Sequence, residues 1–550
     1  MTPRERLGII TDGAFNATLT ARLEAGVSTE GLSIGSFVIV EGEDHLYFST
    51  ISDLQLRVTD PGLLSAPPSA ASTFVREALA GTSTYAVVQV KPMLMIKKPS
   101  ADPLAFIDQL ARPEPVRTIP MHFAILRHAD ESDFELVFGR EGGKFFAMGT
   151  PLVGADLPIS LDLERLLERS NGVFGQSGTG KSFLTRLLLC GVVHRKVGVN
   201  LIFDMHDEYA FGKQSEDKVI VKGLKELFGT RVQVWSLNEA ASRRAGRRVD
   251  ATLRIGLNQI EADDILLLRE ELDLNETAET TIALLERDFH GDWLTRLLAM
   301  EPGEMKEWAE HANASSAALG ALQRKLHLVE RRPFIVPQAE FKAIDEIVAL
   351  LDRGTHVILH FGSDARSLDH MLVANIVTRR VRELYVQKIE KYMESRQESD
   401  APKPLMITLE EAHKFLNPRA ARQTIFGTIA RELRKYRVTL MVVDQRPSGI
   451  DPEVLSQLGT RVTGKLTEER DIEAVLTGVA NRAAVRAMLE ALDTKQQILM
   501  VGHAVPMPIV LRTRRYDEAF YRAVTIDSAA ETDRAPVRSF TQDLDDLFGA

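Results

Sequence analysis

The sequence predicts an α/β protein in three parts: an N-terminal all-β module, a parallel sheet covered by helices, and a helical insertion within the second part. Three observations predict it. β-branched and aromatic runs broken by turn residues fill residues 1–150. Beyond them, short apolar strands alternate with amphipathic helices, the pattern of parallel strands buried on both faces. Between 257 and 350 the pattern turns helical and charged throughout.

Composition sets the bounds. The 550 residues exceed the roughly 100–200 of one domain, and 44% of them are hydrophobic, so several folded units are expected. The 67 Lys+Arg against 77 Asp+Glu leave a charge of −10, which argues against a general polyanion coat but permits a local basic channel. Cys190 is the single cysteine, so no internal disulfide framework exists. The opening MTPRERLGIITDG lacks a leader-like apolar core, and no run approaches the roughly 20 apolar residues of a bilayer span. A cytoplasmic protein without membrane association is expected.

In order along the chain, SFVIVEG (36–42), HLYFSTISDLQLRV (45–58), TYAVVQVKPMLMI (84–96), MHFAILR (121–127) and FELVFG (134–139) read as strands. Gly35, Gly42, Asp60-Pro61-Gly62 and Pro113 punctuate them, so residues 1–150 are expected to form a small β-barrel or sandwich. PGLLSAPPSAAST (61–73) reads as a surface loop. A sheet-and-helix core is expected over 151–256 and 351–526. Its strands are VF (173–174), VNLIFD (199–204), VQVWSL (232–237), HVILHFG (356–362), PLMITLEE (404–411) and VTLMVVDQ (438–445). Residues 257–350 are expected to form an inserted helical bundle, and 374–397 one long amphipathic helix. The acidic end, 527–550, is expected to be a disordered tail.

The chemistry concentrates at a few spacings. GQSGTGKS (175–182) matches G-x-x-x-x-G-K-[ST] between a strand and a helix. Gly175, Gly178, Thr179 and Gly180 would wrap backbone amides around phosphates, Lys181 would reach the β- and γ-phosphates, and Ser182 would ligate Mg²⁺. PLMITLEE ends an apolar strand in two acids. Glu410 would hold the Mg²⁺ through water, although it is one methylene longer than the usual Asp, and Glu411 would act as general base. Gln445, ending a further strand, could bond the γ-phosphate or the lytic water. In RELRKYR (431–437) a helix would put Arg431 and Arg434 on one face, and either could reach a neighbouring subunit's phosphate; spacing does not choose between them. Asp204, His206 and Glu208 in FDMHDEY lie where ligands bind, at the carboxyl edge of an open sheet. Asp204 and Asp207 read equally well as helix caps. Together these residues predict a RecA-like P-loop ATPase that uses ATP and Mg²⁺.

NGVFGQSGTGKS, LIFDMHDEY, LMITLEEAHKFLNP, IARELRKYRVTLMVVDQRPSGIDPEVLSQLGTRV and QQILMVGHAVPMPIVLRTRR follow the β module in one order. In that order they resemble the HerA family, in the HerA/FtsK branch of P-loop ATPases. The resemblance implies a HAS-barrel-like N-terminal domain, a homohexameric ring and translocation or unwinding of double-stranded DNA. It also implies a partner, either a NurA-like nuclease in DNA end processing or a nuclease or sirtuin-type NAD hydrolase in antiphage defence. The alternative is a ring that serves as platform and regulator of such an effector without processive movement. On this chain the resemblance assigns ATP contacts to Gly178, Gly180, Lys181 and Ser182, the catalytic carboxylate to Glu411, the sensor to Gln445 and the trans arginine to Arg431 or Arg434. Two places depart from the family pattern. Asp207 stands where Gly is expected, and SRRAGRR (242–248) is individual to this chain. That run and Lys213 are candidate pore loops for DNA phosphates, or ordinary solvated turns.

Overall fold

A computed structural model describes residues 6–65, 79, 82–98, 112–154, 156–214, 220–340, 342–362, 365–422, 424–493 and 496–525. The acidic tail expected over 527–550 and most of the loop over 61–73 lie outside them. The chain divides into two compact units, residues 1–162 with 497–513, and residues 163–496 with 514–550. The sequence reading ends its first domain at 150; by packing, the first compact unit runs to 162 and takes in 497–513.

The first unit contains a closed barrel. Its strands are β1 (Arg6–Gly13), β2 (Leu19–Leu23), β3 (Phe37–Glu41), β4 (His45–Val58), β5 (Thr84–Lys97) and β6 (Ile125–His128). They run in the order β2-β1-β6-β3-β4-β5, and β5 returns to pair with β2. Closure removes the open edges that a flat sheet would expose. The 14-residue strands β4 and β5 bend round it through irregular register at Phe48/Ser49 and Ile51/Asp53. Leu7, Ile10, Ala21, Val38, Val40, Ile51, Val88 and Leu126 fill the inside. Four further strands, β7 (Phe145–Pro151), β8 (Ile159–Asp162), β16 (Gln497–Gly502) and β17 (Ile509–Thr513), form an antiparallel array in the order β16-β17-β7-β8.

FELVFG is a helix, not a strand. Residues Glu131–Phe138 are helical because Asp130 caps the turn reciprocally with Asp133, and Gly139 ends it at φ 82°. At helical spacing Phe134, Val137 and Phe138 turn inward, where Phe134 meets Phe37 and Phe48 edge-on. The capping box outweighs the β preference of Phe and Val.

The second unit carries a parallel sheet. Its strands are β9 (Asn171–Phe174), β10 (Val199–Asp204), β11 (Val232–Ser236), β12 (His356–His360), β13 (Leu405–Glu410), β14 (Val438–Asp444) and β15 (Thr460–Thr463). Their order is β11-β12-β10-β13-β14-β9-β15, every pair parallel. Every residue of β10, β13 and β14 is buried, which is why these strands read as unbroken apolar runs. β14 separates the strand leading into the Gly-rich loop from the strand ending in Glu410, the RecA-like arrangement.

Between β11 and β12, helices Glu276–Phe289, Trp293–Ala299, Pro302–His311 and Ser316–Glu330 bury Ile282, Leu285, Trp293, Leu294, Leu297, Leu322 and Leu326. Asp264, ahead of these helices, accepts hydrogen bonds from Asn375 (2.6 Å) and Arg379 (2.9 Å) of the long helix Ser367–Ser395. Among the described residues no helix is long and apolar enough to cross a membrane.

Candidate active site

The Gly-rich loop follows a fully buried strand, so its entry is rigid. Gly178 (φ 80°) and Gly180 (φ 85°) occupy the left-handed region that other residues enter at a cost of about 1 kcal/mol or more. A Cβ on Gly175 would fall 2.6 Å from Thr179 Oγ1, so that position also admits only glycine. Thr179 Oγ1 donates to Gln176 O (2.8 Å), Gln176 N to Lys465 O (3.1 Å) and Thr467 Oγ1 to Gln176 Oε1 (3.0 Å). The loop is thereby tied to the segment after β15. Helix Lys181–Arg195 starts at Gly180 without a side-chain cap, so its first amides and positive dipole end point into the loop. That is an anion cradle, with half-buried Lys181 and Ser182 on its first turn.

Opposite stands the end of β13. Glu410 is buried, and Tyr209 donates to its Oε1 at 2.7 Å, while Oε2 has no partner among the described residues. Its carboxyl is pushed up to about 8, first by burial and then by the charges of Asp204 and Glu208, with Tyr209 and the Lys181 ammonium pulling the other way. The site thus brings Lys181 and Glu410 together across two motifs more than 200 positions apart. Asp204 accepts from the amides of Glu208 (2.7 Å), Tyr209 (3.1 Å) and Ala210 (2.9 Å). It anchors the loop that presents Tyr209; residues 205–212 form no helix for Asp204 or Asp207 to cap.

Glu411 begins the turn after β13 with φ 47°, a left-handed conformation that a non-glycine residue holds only when its surroundings fix it. Gln445 Nε2 lies 3.5 Å from Glu411 Oε1, and His413 Nε2 lies 3.8 Å from Oε2. The sequence-predicted base and sensor are therefore neighbours, on adjacent strands.

Residues 146–381 match the family model described as Helicase HerA, central domain. The chain is 21% identical over 428 residues to the DNA double-strand break repair helicase HerA of Pyrococcus furiosus, covering 72% of this chain and 74% of that one. It is 26% identical over 407 residues to the helicase of the same name from Sulfurisphaera tokodaii, covering 70% and 72%. A bacterial conjugative coupling protein, TrwBdeltaN70, aligns in structure with a TM-score of 0.44 at 11% identity, over 70% of this chain and 92% of that one. Over residues 146–381 the chain is similar to the HerA helicase central domain.

Its second unit is the P-loop core of an ATP-hydrolysing enzyme. Arg431 and Asp207 each have partners outside the cradle. Arg431, on helix Ile425–Glu432, donates to Ala421 O (2.7 Å) and approaches Glu453 (3.6 Å). Arg434 falls in the 3-10 turn Leu433–Tyr436, and its side chain lies outside the described residues. Asp207 has φ 58°, the backbone for which the family pattern suggests Gly. Its carboxylate pairs with Arg247 of SRRAGRR, and His360 Nε2 lies 3.1 Å from Asp207 Oδ1 and 2.9 Å from Arg247 Nη1. The chain's two departures from the HerA pattern thus meet each other.

Sequence reasoning missed Tyr209, His413 and Asp444. Each lies inside a quoted motif, yet its role depends on a partner from another strand. Buried Asp444 accepts from His413 Nδ1 (2.9 Å) and from the amides of His413 and Arg446 (2.7 Å each).

Proposed function

We propose that this protein is an ATP-driven translocase or helicase on double-stranded DNA that works as a homohexameric ring beside a partner. The partner is a NurA-like nuclease in DNA end processing, or a nuclease or NAD-hydrolysing effector in antiphage defence. The observation that carries the ATPase part of this reading is the uncapped start of helix Lys181–Arg195 behind a loop with Gly178 and Gly180 in the left-handed region, together with the neighbouring Glu411 and Gln445. The DNA part is supported by relatives named as double-strand break repair helicases.

In this reading ATP lies in the cradle of Gly175, Gly178, Thr179, Gly180, Lys181 and Ser182. Mg²⁺ fits the chemistry of the donors, because Glu410 Oε2 is a buried oxygen without a partner among the described residues and Ser182 stands on the first turn of the helix that opens at the Gly-rich loop. Ser182 and Glu410 would hold the ion, which supplies charge neutralisation on the phosphates. Glu411 accepts the proton of the attacking water while Gln445 orients the water or the γ-phosphate. Arg431 or Arg434 completes the site of the adjacent subunit. By division of labour, the core over 151–256 and 351–526 turns over ATP, the insertion over 257–350 elaborates the ring, and the barrel over 1–150 docks the partner.

A second reading, a ring that regulates an effector without moving along DNA, is favoured by one observation. The barrel unit exposes Phe15 (55%), Met121 (63%) and Phe123 (68%), large apolar side chains that hydrolysis does not use. ATP turnover measured with and without duplex DNA decides between them. Stimulation by DNA, with affinity falling steeply as salt rises, supports the motor. Turnover indifferent to DNA and changed only by a co-purified effector supports the platform. Mixing Glu411→Gln subunits with Arg431→Ala or Arg434→Ala subunits should restore part of the activity if the arginine acts in trans, and identifies which arginine it is.

A further inference from the structure

We infer that His413 is a positioning residue for the base Glu411, and that Asp444 fixes the imidazole for this task. The inference rests on the proposed role of Glu411 and adds to it a pair of residues on two strands.

Asp444 ends β14 with a fully buried carboxylate. A buried carboxylate is costly unless its lone pairs are filled, and here three donors fill them: His413 N, Arg446 N and His413 Nδ1. The imidazole therefore presents its Nδ1–H to Asp444, and the other edge, Nε2, is left to face Glu411 Oε2 at 3.8 Å. An orienting acid behind an imidazole fixes both its tautomer and its direction.

Glu411 needs such a partner. Its left-handed backbone places the carboxylate at the start of a turn, outside the strand that immobilises Glu410. Gln445 approaches one oxygen and His413 the other, so the carboxylate sits between two donors, each slightly beyond hydrogen-bond distance. Either contact closes with a displacement of under about 1 Å, whereas a misplacement of that size at a base costs about 100-fold in rate. Once Gln445 turns to the γ-phosphate, His413 alone holds Glu411. The hydrogen bond to Asp444 raises the His413 pKa against burial, with the charges of Asp444 and Glu411 adding to it and Lys414 opposing.

The test compares His413→Ala, His413→Gln and Glu411→Gln by steady-state and single-turnover ATP hydrolysis, with nucleotide affinity measured on a fluorescent ATP analogue. His413→Ala is expected to lower kcat about 10- to 100-fold while KM and analogue affinity stay within about threefold. His413→Gln, whose amide nitrogen reaches where Nε2 lies, is expected to recover much of that loss. Adding His413→Ala to Glu411→Gln should lower the residual single-turnover rate no further. An unchanged kcat in His413→Ala, additive losses in the double variant, or a Gln variant no better than Ala in an equally stable fold would each overturn the inference. Normal turnover by Glu411→Gln would instead overturn the assignment of the base itself.

Discussion

Two stretches of one sheet edge answer their buried acids in opposite ways. At the end of β13, Glu410 has burial and two like charges against it, one oxygen without a partner, and a carboxyl pushed up to about 8. Past the end of β10, burial also works against the Asp207 carboxylate, yet hydrogen bonds from His360 and Arg247 overcome it and hold its pKa below the usual value. One acid is left unanswered by the protein, the other is paired within it. The contrast teaches where to look for chemistry. A charge that the fold neutralises is a structural fitting, whereas one that it leaves unneutralised is set to receive a cation or a proton from outside.

The largest test of that contrast removes the carboxylate proposed as the base. Glu411→Gln is expected to cut ATP turnover by about 10³-fold while leaving nucleotide affinity near wild type, whereas Lys181→Ala should lose the affinity itself. Equilibrium binding and phosphate release separate the two. Turnover within tenfold of wild type in Glu411→Gln would place the base elsewhere and dissolve the distinction drawn here.

A smaller effect concerns the neighbouring acid. Because the folded pKa of Glu410 lies above its ordinary 4.5, the fold takes up a proton, and nucleotide-free stability should fall as pH rises from about 4.5 towards 8. Glu410→Gln removes that loss, so at pH 8 it is expected to stabilise the nucleotide-free protein by on the order of 2–4 kcal/mol while impairing Mg²⁺-dependent turnover. Thermal unfolding at pH 6 and pH 8 checks it. Equal pH slopes for the two proteins would show that Glu410 does not carry the strain.

How much of this was legible follows from the range of each interaction. The phosphate loop could be read because Gly175, Gly178, Gly180 and Lys181 act through local backbone geometry at fixed spacing. Glu410 and Glu411 could be read because an apolar run stops at them. Tyr209 could not, since its hydroxyl matters only against Glu410, 201 positions away. The His413–Asp444 pair spans 31 positions and two strands, so neither residue signals the other along the chain. FELVFG failed for the reverse reason, because a local capping pair at Asp130 and Asp133 was overlooked in favour of its β-rich composition. Asp207 and SRRAGRR were each visible as oddities, but only their contact explains them.

On the paired side of the comparison, effects should be modest and thermodynamic. Arg247→Ala leaves half-buried Asp207 with His360 alone and is expected to cost about 1–2 kcal/mol of stability, with ATP turnover per folded molecule within about twofold. Since the folded pKa of Asp207 is depressed, its contribution is present above its ordinary 3.8 and is lost as pH falls through the folded value. Arg247→Ala should therefore flatten the acid limb of stability. Loss of turnover out of proportion to stability would mean that this cluster belongs to the site after all.

The smallest effect is the sharpest. Asp207 holds φ 58°, where glycine rests without the strain of about 1 kcal/mol that a side chain incurs. Asp207→Gly relieves that strain but gives up the pair with Arg247, so the two changes nearly cancel, and the single variant should lie within about 0.5 kcal/mol of wild type. In an Arg247→Ala background only the His360 contact is left to lose, and the same substitution should be more favourable than in the wild type by about 1 kcal/mol. Denaturant unfolding of the four proteins closes the cycle, with a coupling of about 1 kcal/mol expected between the positions. Additive changes would mean that the aspartate and the basic run arose independently, and that their contact carries no energy.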